Sequence, residues 1–229
     1  KIDSKKIEIY WDGNKEHKLS KSEYFGIGDL AVSYNDKLLG YSLDLKGSEY
    51  FTIHIRQISN NKLVSSKIND TSGNIIFSLD DKYIFYSKLD NNHRPKTIFR
   101  HEIGTPIKND ILIFEEKNDR FTVGIDITSD EKYFIISSGD HTTSEVYYFL
   151  SDDKAPKPQL FQKAKEGIIY SINSWGKYFY IHTNYKAEDF KICKCLHNKT
   201  NNWKDVIPAK DEVLVGGFTM LNNWMIRSE

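Results

Sequence analysis

Residues 75–90, IIFSLDDKYIFYSKLD, decide the fold. Ile75, Ile76 and Phe77 make one apolar run, and Tyr83, Ile84, Phe85 and Tyr86 a second. Ser78, Asp80, Asp81 and Lys82 lie between them. β-Branched and aromatic side chains suit a pleated surface, and a short polar break between two such runs reads as a tight turn. The stretch is therefore a hairpin whose strands are apolar enough to be covered on both faces.

The same unit recurs at residues 31–44 (AVSYNDKLLGYSLD), 125–140 (IDITSDEKYFIISSGD), 172–184 (INSWGKYFYIHTN) and 217–229 (GFTMLNNWMIRSE). Aligned on the turn, Lys37, Lys82, Lys132, Lys177 and Asn223 fall in register, at steps of 45, 50, 45 and 46 residues. Ser33, Ser78 and Thr128 align, as do Asn35, Asp80 and Asp130; the last two copies are degenerate. A period in the forties with strand-type content is the mark of β-propeller blades, each a four-stranded sheet that buries its faces against its neighbours. The fold class read here is all-β, a partial β-propeller of about four to five blades.

The segments between hairpins supply the remaining strands. Third strands are expected at residues 51–56 (half-exposed), 97–103, 146–150 and 190–196, and fourth strands at 63–68, 111–115, 159–161 and 206–207. Residues 1–30 are an entry segment. Ile7, Ile9 and Trp11 alternate as a short strand, residues 12–14 read as a turn, residues 15–21 as a polar connection, and Gly26-Ile27-Gly28 as a turn into the first blade. Domain boundaries follow at 1–30 and 31–229, with blades near 31–70, 71–120, 121–165, 166–212 and an incomplete 213–229. An incomplete last blade leaves an apolar face and open strand edges, so cover by another part of the protein, or self-association, is expected.

Lys and Arg number 32, as do Asp and Glu, so formal net charge is zero, which argues against a nucleic-acid or anionic-membrane surface as the main partner. No apolar run reaches the roughly 18 residues a spanning helix needs, and no signal core follows the lysine-rich start. Cys193 and Cys195 lie two apart on one strand face, cannot readily bridge each other, and suit a reducing, cytoplasmic setting. Only 5 of the 32 basic residues are Arg, a bias of AT-rich bacterial genomes.

The chemistry-bearing residues do not gather into a motif. A serine hydrolase of α/β type needs a G-x-S-x-G elbow at a strand-to-helix turn. The nearest stretch, Gly40-Tyr-Ser42, has Asp44 where the second glycine belongs and sits on a strand. The histidines are scattered without metal-ligand spacing, and the Cys193–Cys195 pair has no second thiol pair. No catalytic residue, metal ligand or cofactor is assigned. Thr142, Thr143, Ser144 and Glu145 fit two roles equally: polar groups lining a propeller channel, or a turn that satisfies its own backbone.

Several linking stretches carry a resemblance: Ile9-Tyr-Trp-Asp-Gly-Asn14, Glu23-Tyr-Phe25, Asp70-Thr-Ser-Gly-Asn74, Arg100-His-Glu-Ile-Gly-Thr105, Glu115-Glu-Lys-Asn-Asp-Arg-Phe121 and Thr142-Thr-Ser-Glu-Val146. In order, over essentially the whole chain, they resemble the oligopeptidase B (protease II) branch of the prolyl oligopeptidase family of serine peptidases. The resemblance implies a seven-bladed propeller that caps an α/β-hydrolase domain, admits short peptides and excludes folded proteins, with cleavage after Arg or Lys. It also implies that the triad and the acidic residues holding the basic side chain belong to the hydrolase domain, which this sequence lacks. Gly47-Ser48-Glu49 stands where the branch often carries basic residues. The chain alone is then expected to be inactive, with the hydrolase domain and short basic peptides as partners. The alternative is a non-enzymatic peptide- or protein-binding propeller left from a truncated or split gene.

Overall fold

A computed structural model of the chain describes residues 9–64 and 67–228. Among the described residues there is one α-helix, α1 (Gly13–Ser20), a 3-10 turn at Ile107–Asn109, and strands β1 (Gly26–Val32), β2 (Leu38–Asp44), β3 (Phe51–Gln57), β4 (Ile68–Thr71), β5 (Ile76–Phe77), β6 (Tyr83–Leu89), β7 (Pro95–Glu102) and β8 (Ile111–Glu115). There follow β9 (Thr122–Ile127), β10 (Tyr133–Gly139), β11 (Ser144–Leu150), β12 (Gln159–Gln162), β13 (Tyr170–Trp175), β14 (Tyr178–Thr183), β15 (Lys191–Leu196), β16 (Lys204–Ile207), β17 (Phe218–Leu221) and β18 (Trp224–Arg227). The chain forms two compact units, divided within β7: residues up to His93 with Arg100–Asp110, and Arg94–Phe99 with the chain from Ile111 onward.

In the first unit β1, β2, β3 and β4 pair in order, antiparallel, and β4 meets β6 through Thr71 and Lys88. β5 and β6 form the hairpin of residues 75–90, with Ile76 opposite Phe85 and Phe77 opposite Ile84. In the second unit β9 to β12 and β13 to β16 form separate four-stranded antiparallel sheets, and β17 pairs with β18. Ile135, Val146, Phe161, Tyr170, Phe179 and Ile181 join one core between the two full sheets. Tyr180, Ile192, Val215 and Met220 form the next core, against the last hairpin. Burial of each large side chain contributes about 1.5–3 kcal/mol, which is why the sheets stack.

The aligned hydroxyls and carboxylates explain the repeat. Ser33 Oγ donates to Asn35 Oδ1 (3.0 Å) and accepts from Leu38 N (2.9 Å). Ser78 Oγ donates to Asp80 (2.8 Å) and accepts from Tyr83 N (3.0 Å). Thr128 Oγ1 donates to Asp130 (2.9 Å) and accepts from Tyr133 N (3.1 Å). Asp36, Asp81 and Glu131 follow at φ of 58°, 56° and 58°, and in the degenerate fourth copy Gly176 takes φ 66°. The side chains thus satisfy the turn backbone that a sheet ladder cannot reach.

Several sequence expectations are corrected. Residues 9–11 are not strand, and Ile7 lies outside the described residues. Residues 13–20 are helical rather than a turn and an open connection: Asp12 caps α1 by accepting from Lys15 N at 3.1 Å. Gly26 and Gly28 lie within β1, not in a turn, because a Cβ at Gly28 would stand 2.5 Å from Ser42 Oγ where β1 passes β2. β3 is buried on both faces rather than half-exposed, since Arg56 pairs with Glu16 of α1 and His54 stacks on Tyr41 instead of meeting solvent. The fourth strand of the first sheet is Ile68–Thr71, later than residues 63–68, of which 65 and 66 lie outside the described set. The other third and fourth strands fall within a few residues of expectation.

Neighbouring hairpins of the first unit are latched by one carboxylate. Asp81 accepts from Tyr34 N (2.7 Å) and Asn35 N (2.9 Å). Asp81→Ala should lower unfolding stability by about 2 kcal/mol, through the two charge-assisted bonds and alanine's cost at positive φ. Asp81→Asn, which tolerates that φ, should cost about 1 kcal/mol. Urea unfolding measures both, and wild-type stability in both variants would refute the latch.

Candidate functional site

Residues 142–145 lie at the turn joining β10 to β11, where Gly139 faces Ser144. Asp140 Oδ1 accepts from Thr142 N and Thr143 N, both at 2.9 Å, and from Thr142 Oγ1 at 3.1 Å. Its Oδ2 takes Arg120 Nη2 at 2.7 Å. The Thr142 amide, then Arg120, hold the Asp140 carboxyl down at about 2. Thr143 is buried and its Oγ1 accepts from Gly167 N (3.3 Å). A Cβ at Gly139 would stand 2.3 Å from the Thr143 carbonyl oxygen, so only glycine fits there. Ser144 Oγ accepts from Tyr170 N (3.1 Å), and Ser144 N donates to Ile168 O (3.0 Å).

These bonds commit Thr142, Thr143 and Ser144 to the turn and to bracing β11 against the link into β13. Glu145 differs. It accepts from Ala164 N (2.8 Å) and from the Tyr147 hydroxyl, whose pKa is raised by burial and then by Glu145. It also lines a groove of about 330 Å³ with Glu116, Arg120, Phe121, Lys163 and Glu166. Arg120 bridges Asp140 and Glu166 (3.2 Å), and Ser138 Oγ donates to Glu116. The groove is therefore predominantly acidic, with Arg120 already engaged.

Buried serines do not make a nucleophile. Ser42 is fully buried in mid-β2, donating to Gly73 O (2.7 Å) and accepting from Asp29 N (2.9 Å). Ser174 is the closest approach to a triad, and sequence reading missed it because its partners lie 44 and 23 residues away. Tyr133 OH lies 3.2 Å from His197 Nδ1 and Ser174 Oγ 3.0 Å from His197 Nε2, while Ser174 Oγ donates to Asp130 Oδ2 (2.9 Å). The proton order is wrong for catalysis: the histidine must accept from the serine, and the carboxylate must hold the histidine. Burial also lowers the His197 pKa, and Ser174 has no exposed surface. Ser174→Ala should cost about 1–3 kcal/mol of stability, read by denaturant unfolding, and should leave reactivity toward a serine-directed probe unchanged.

The first unit holds a larger cavity, about 770 Å³, lined by Tyr41, Asp44, His54, Lys67 and Asp70 among others. The turn 46–49 wraps Asp44, which accepts from the amides of Lys46, Gly47 and Glu49 at 2.8, 3.0 and 2.7 Å. His54 stacks on Tyr41 (4.9 Å, 8°), and Arg56 lies over the same ring while pairing with Glu16 of α1 at 2.8 Å. Burial, then Lys67 and Arg56, lower the His54 pKa to about 4. Folded His54 thus stays neutral while unfolded His54 takes a proton near pH 6.5. Its contribution is present above pH 6.5 and is lost as pH falls toward 4. Urea melts should show roughly 2–3 kcal/mol less stability at pH 4 than at 7 from this group, and His54→Phe should remove that part of the difference.

Cys193 and Cys195 are free and buried. Burial, then Asp205, push the Cys193 thiol up to about 12, and burial pushes Cys195 to about 11, so neither is a thiolate near neutrality. Among the described residues no three His, Cys, Asp or Glu side chains come together as a metal site, and no helix is long and apolar enough to cross a membrane.

Comparison with known proteins places this geometry. Protease 2 of Moraxella lacunata is 26% identical over 211 residues, covering 86% of this chain and 31% of that protein. Dipeptidyl aminopeptidase BI of Pseudoxanthomonas mexicana is 28% identical over 214 residues, covering 90% and 29%. The chain thus spans about three tenths of the length of these relatives. The structure of oligopeptidase B from Leishmania major superposes with a TM-score of 0.91 at 20% identity, over 96% of this chain and 31% of that one. Oligopeptidase B from Trypanosoma brucei gives 0.89 at 23% identity. At those identities the likeness establishes the fold, a partial β-propeller of antiparallel four-stranded sheets that do not close. The family described as prolyl oligopeptidase, N-terminal beta-propeller domain, matches residues 2–229, and the chain belongs to that family.

Proposed function

We propose that this chain is the substrate-gating propeller portion of a serine oligopeptidase of the oligopeptidase B kind, which cuts short peptides after Arg or Lys. Catalysis resides in an α/β-hydrolase domain outside these 229 residues. The observation that carries the reading is the match of residues 2–229 to the propeller family, joined to a span of only 31% of Protease 2. The committed hydrogen bonds of Ser42 and Ser174 support it, since neither hydroxyl is free to attack. The propeller acts by size: unfolded peptides pass to the catalytic domain and compact proteins do not.

Within this proposal the blades divide near residues 70, 120, 165 and 212. Thr142, Thr143 and Ser144 shape the propeller surface, and Glu145, with Glu116 and Glu166, offers carboxylates to a basic peptide on its way in. Trp224 is 72% exposed and Ile226 56%, which suits cover by further strands of the same protein or by a second copy. A cytoplasmic, bacterial setting accords with the reduced thiols and the lysine-rich composition.

The test uses a fluorogenic peptide with Arg before the reporter and a fluorophosphonate probe. The chain alone should give neither turnover nor labelling. The whole gene product should hydrolyse the Arg substrate and spare a folded protein of the same sequence content. Labelling of a serine within this chain, or preference for Pro over Arg in the whole product, would overturn the proposal.

A further inference from the structure

A second pocket in the second unit, which shares Lys163 with the acidic groove, is built from aromatic faces. It measures about 300 Å³ and is lined by Ile168, Tyr170, Tyr185 and Trp203, with Lys163 and Lys165 at its rim. Gln162 and Asn201 complete the lining, so in a chain with as many carboxylates as cations this pocket has two lysines and no acid.

Its walls are fixed in place. Trp203 Nε1 donates to Thr200 O at 2.6 Å, which sets the indole's orientation. The same ring packs on Phe161 (6.1 Å, 30°) and Tyr170 (5.6 Å, 57°). Tyr170 OH donates to Gln162 O and accepts from Val146 N (3.0 Å), so its polar end is spent. Tyr185 meets Trp203 edge to face, at 6.3 Å and 86°. Two rings at a right angle form a corner, in which a third ring can stack on one wall and offer its edge to the other. Lys165 Nζ stands 5.4 Å above the Tyr185 ring, beside that corner, and Lys186 Nζ 5.5 Å from the same ring.

We propose that this corner binds an aromatic carboxylate, in the form of the C-terminal aromatic residue of a peptide. The ring stacks on one wall of the corner that Trp203 and Tyr185 form and presents its edge to the other, and the terminal carboxylate meets Lys163 and Lys165. The pocket's volume is at the lower end of the about 300–1,000 Å³ range of small-ligand sites, enough for one side chain with its carboxylate. A free amino acid fits less well, because its ammonium would face the same lysines. The inference does not rest on the peptidase reading, since the pocket needs neither a catalytic domain nor a scissile bond.

The test is calorimetric titration of the intact protein with N-acetylphenylalanine, alongside its C-terminal amide and N-acetylalanine. N-acetylphenylalanine should bind saturably, the amide about tenfold more weakly for want of the charge, and N-acetylalanine not at all. The double variant Lys163→Glu, Lys165→Glu changes only exposed residues and should abolish binding; Lys108→Glu, an exposed charge control outside the pocket lining, should not. Equal binding of acid and amide, or undiminished binding in the double variant, would overturn the proposal, as would no binding to the wild-type protein. Lys165→Glu alone, at a residue outside the Glu145 groove, should weaken binding and leave whole-protein peptidase activity unchanged, which separates this site from the catalytic one.

Discussion

One local interaction sets the rest: a hydroxyl that bridges the turn between the first and second strands of a sheet. Ser33, Ser78 and Thr128 each donate to a carboxylate or amide two residues on and accept the amide that opens the second strand. Because side chains alternate across a strand, a slip of one residue would turn every core side chain to the other face. The bridge pins that register at the tight end of the hairpin. Ile84, Phe134 and Ile136 then reach the interior, with 1% or less of their surface exposed.

The same economy governs the polar groups between sheets. Carboxylate oxygens of the turns that are not used locally reach the neighbouring hairpin: Asp81 to the Tyr34 and Asn35 amides, and Asp130 Oδ2 to Ser174. A buried or half-buried hydroxyl without a partner would cost more than the bond contributes, so Ser33, Ser78, Thr128 and Ser174 are each paired. That requirement also explains why serine, histidine and aspartate meet at Ser174 without making a catalyst. The group that activates a nucleophile must leave the hydroxyl's proton a route to histidine, and here the carboxylate takes it instead.

The features that remain open to other molecules are those whose polar walls are already satisfied. The groove at Glu145 is lined by three glutamates, beside a turn that is internally complete. The corner at Trp203 presents ring faces because the indole and phenol polar ends are turned inward. Family membership accounts for the scaffold that positions both, and the size filter proposed for it is a property of that scaffold rather than of any one side chain.

The strand content and its period were legible because they are local: apolar runs, polar turns and spacing in the forties survive in residues 31–44, 75–90 and 125–140. The stretches from Arg100 and from Thr142 carried the family. Helix α1 was not legible, since eight mostly polar residues with no buried face depend on Asp12 and on Arg56 holding Glu16 from a strand far along the chain. The burial of β3 had the same cause, because alternation showed which residues share a face but not what would cover it. At residues 142–145 the sequence left a channel lining and a self-satisfied turn equally open. Only the tertiary structure, by bringing Gly167 and Tyr170 to Thr143 and Ser144 and Ala164 to Glu145, assigned those hydrogen bonds. Local periodicity determines which strands form; partners tens of residues apart decide which polar groups they leave free.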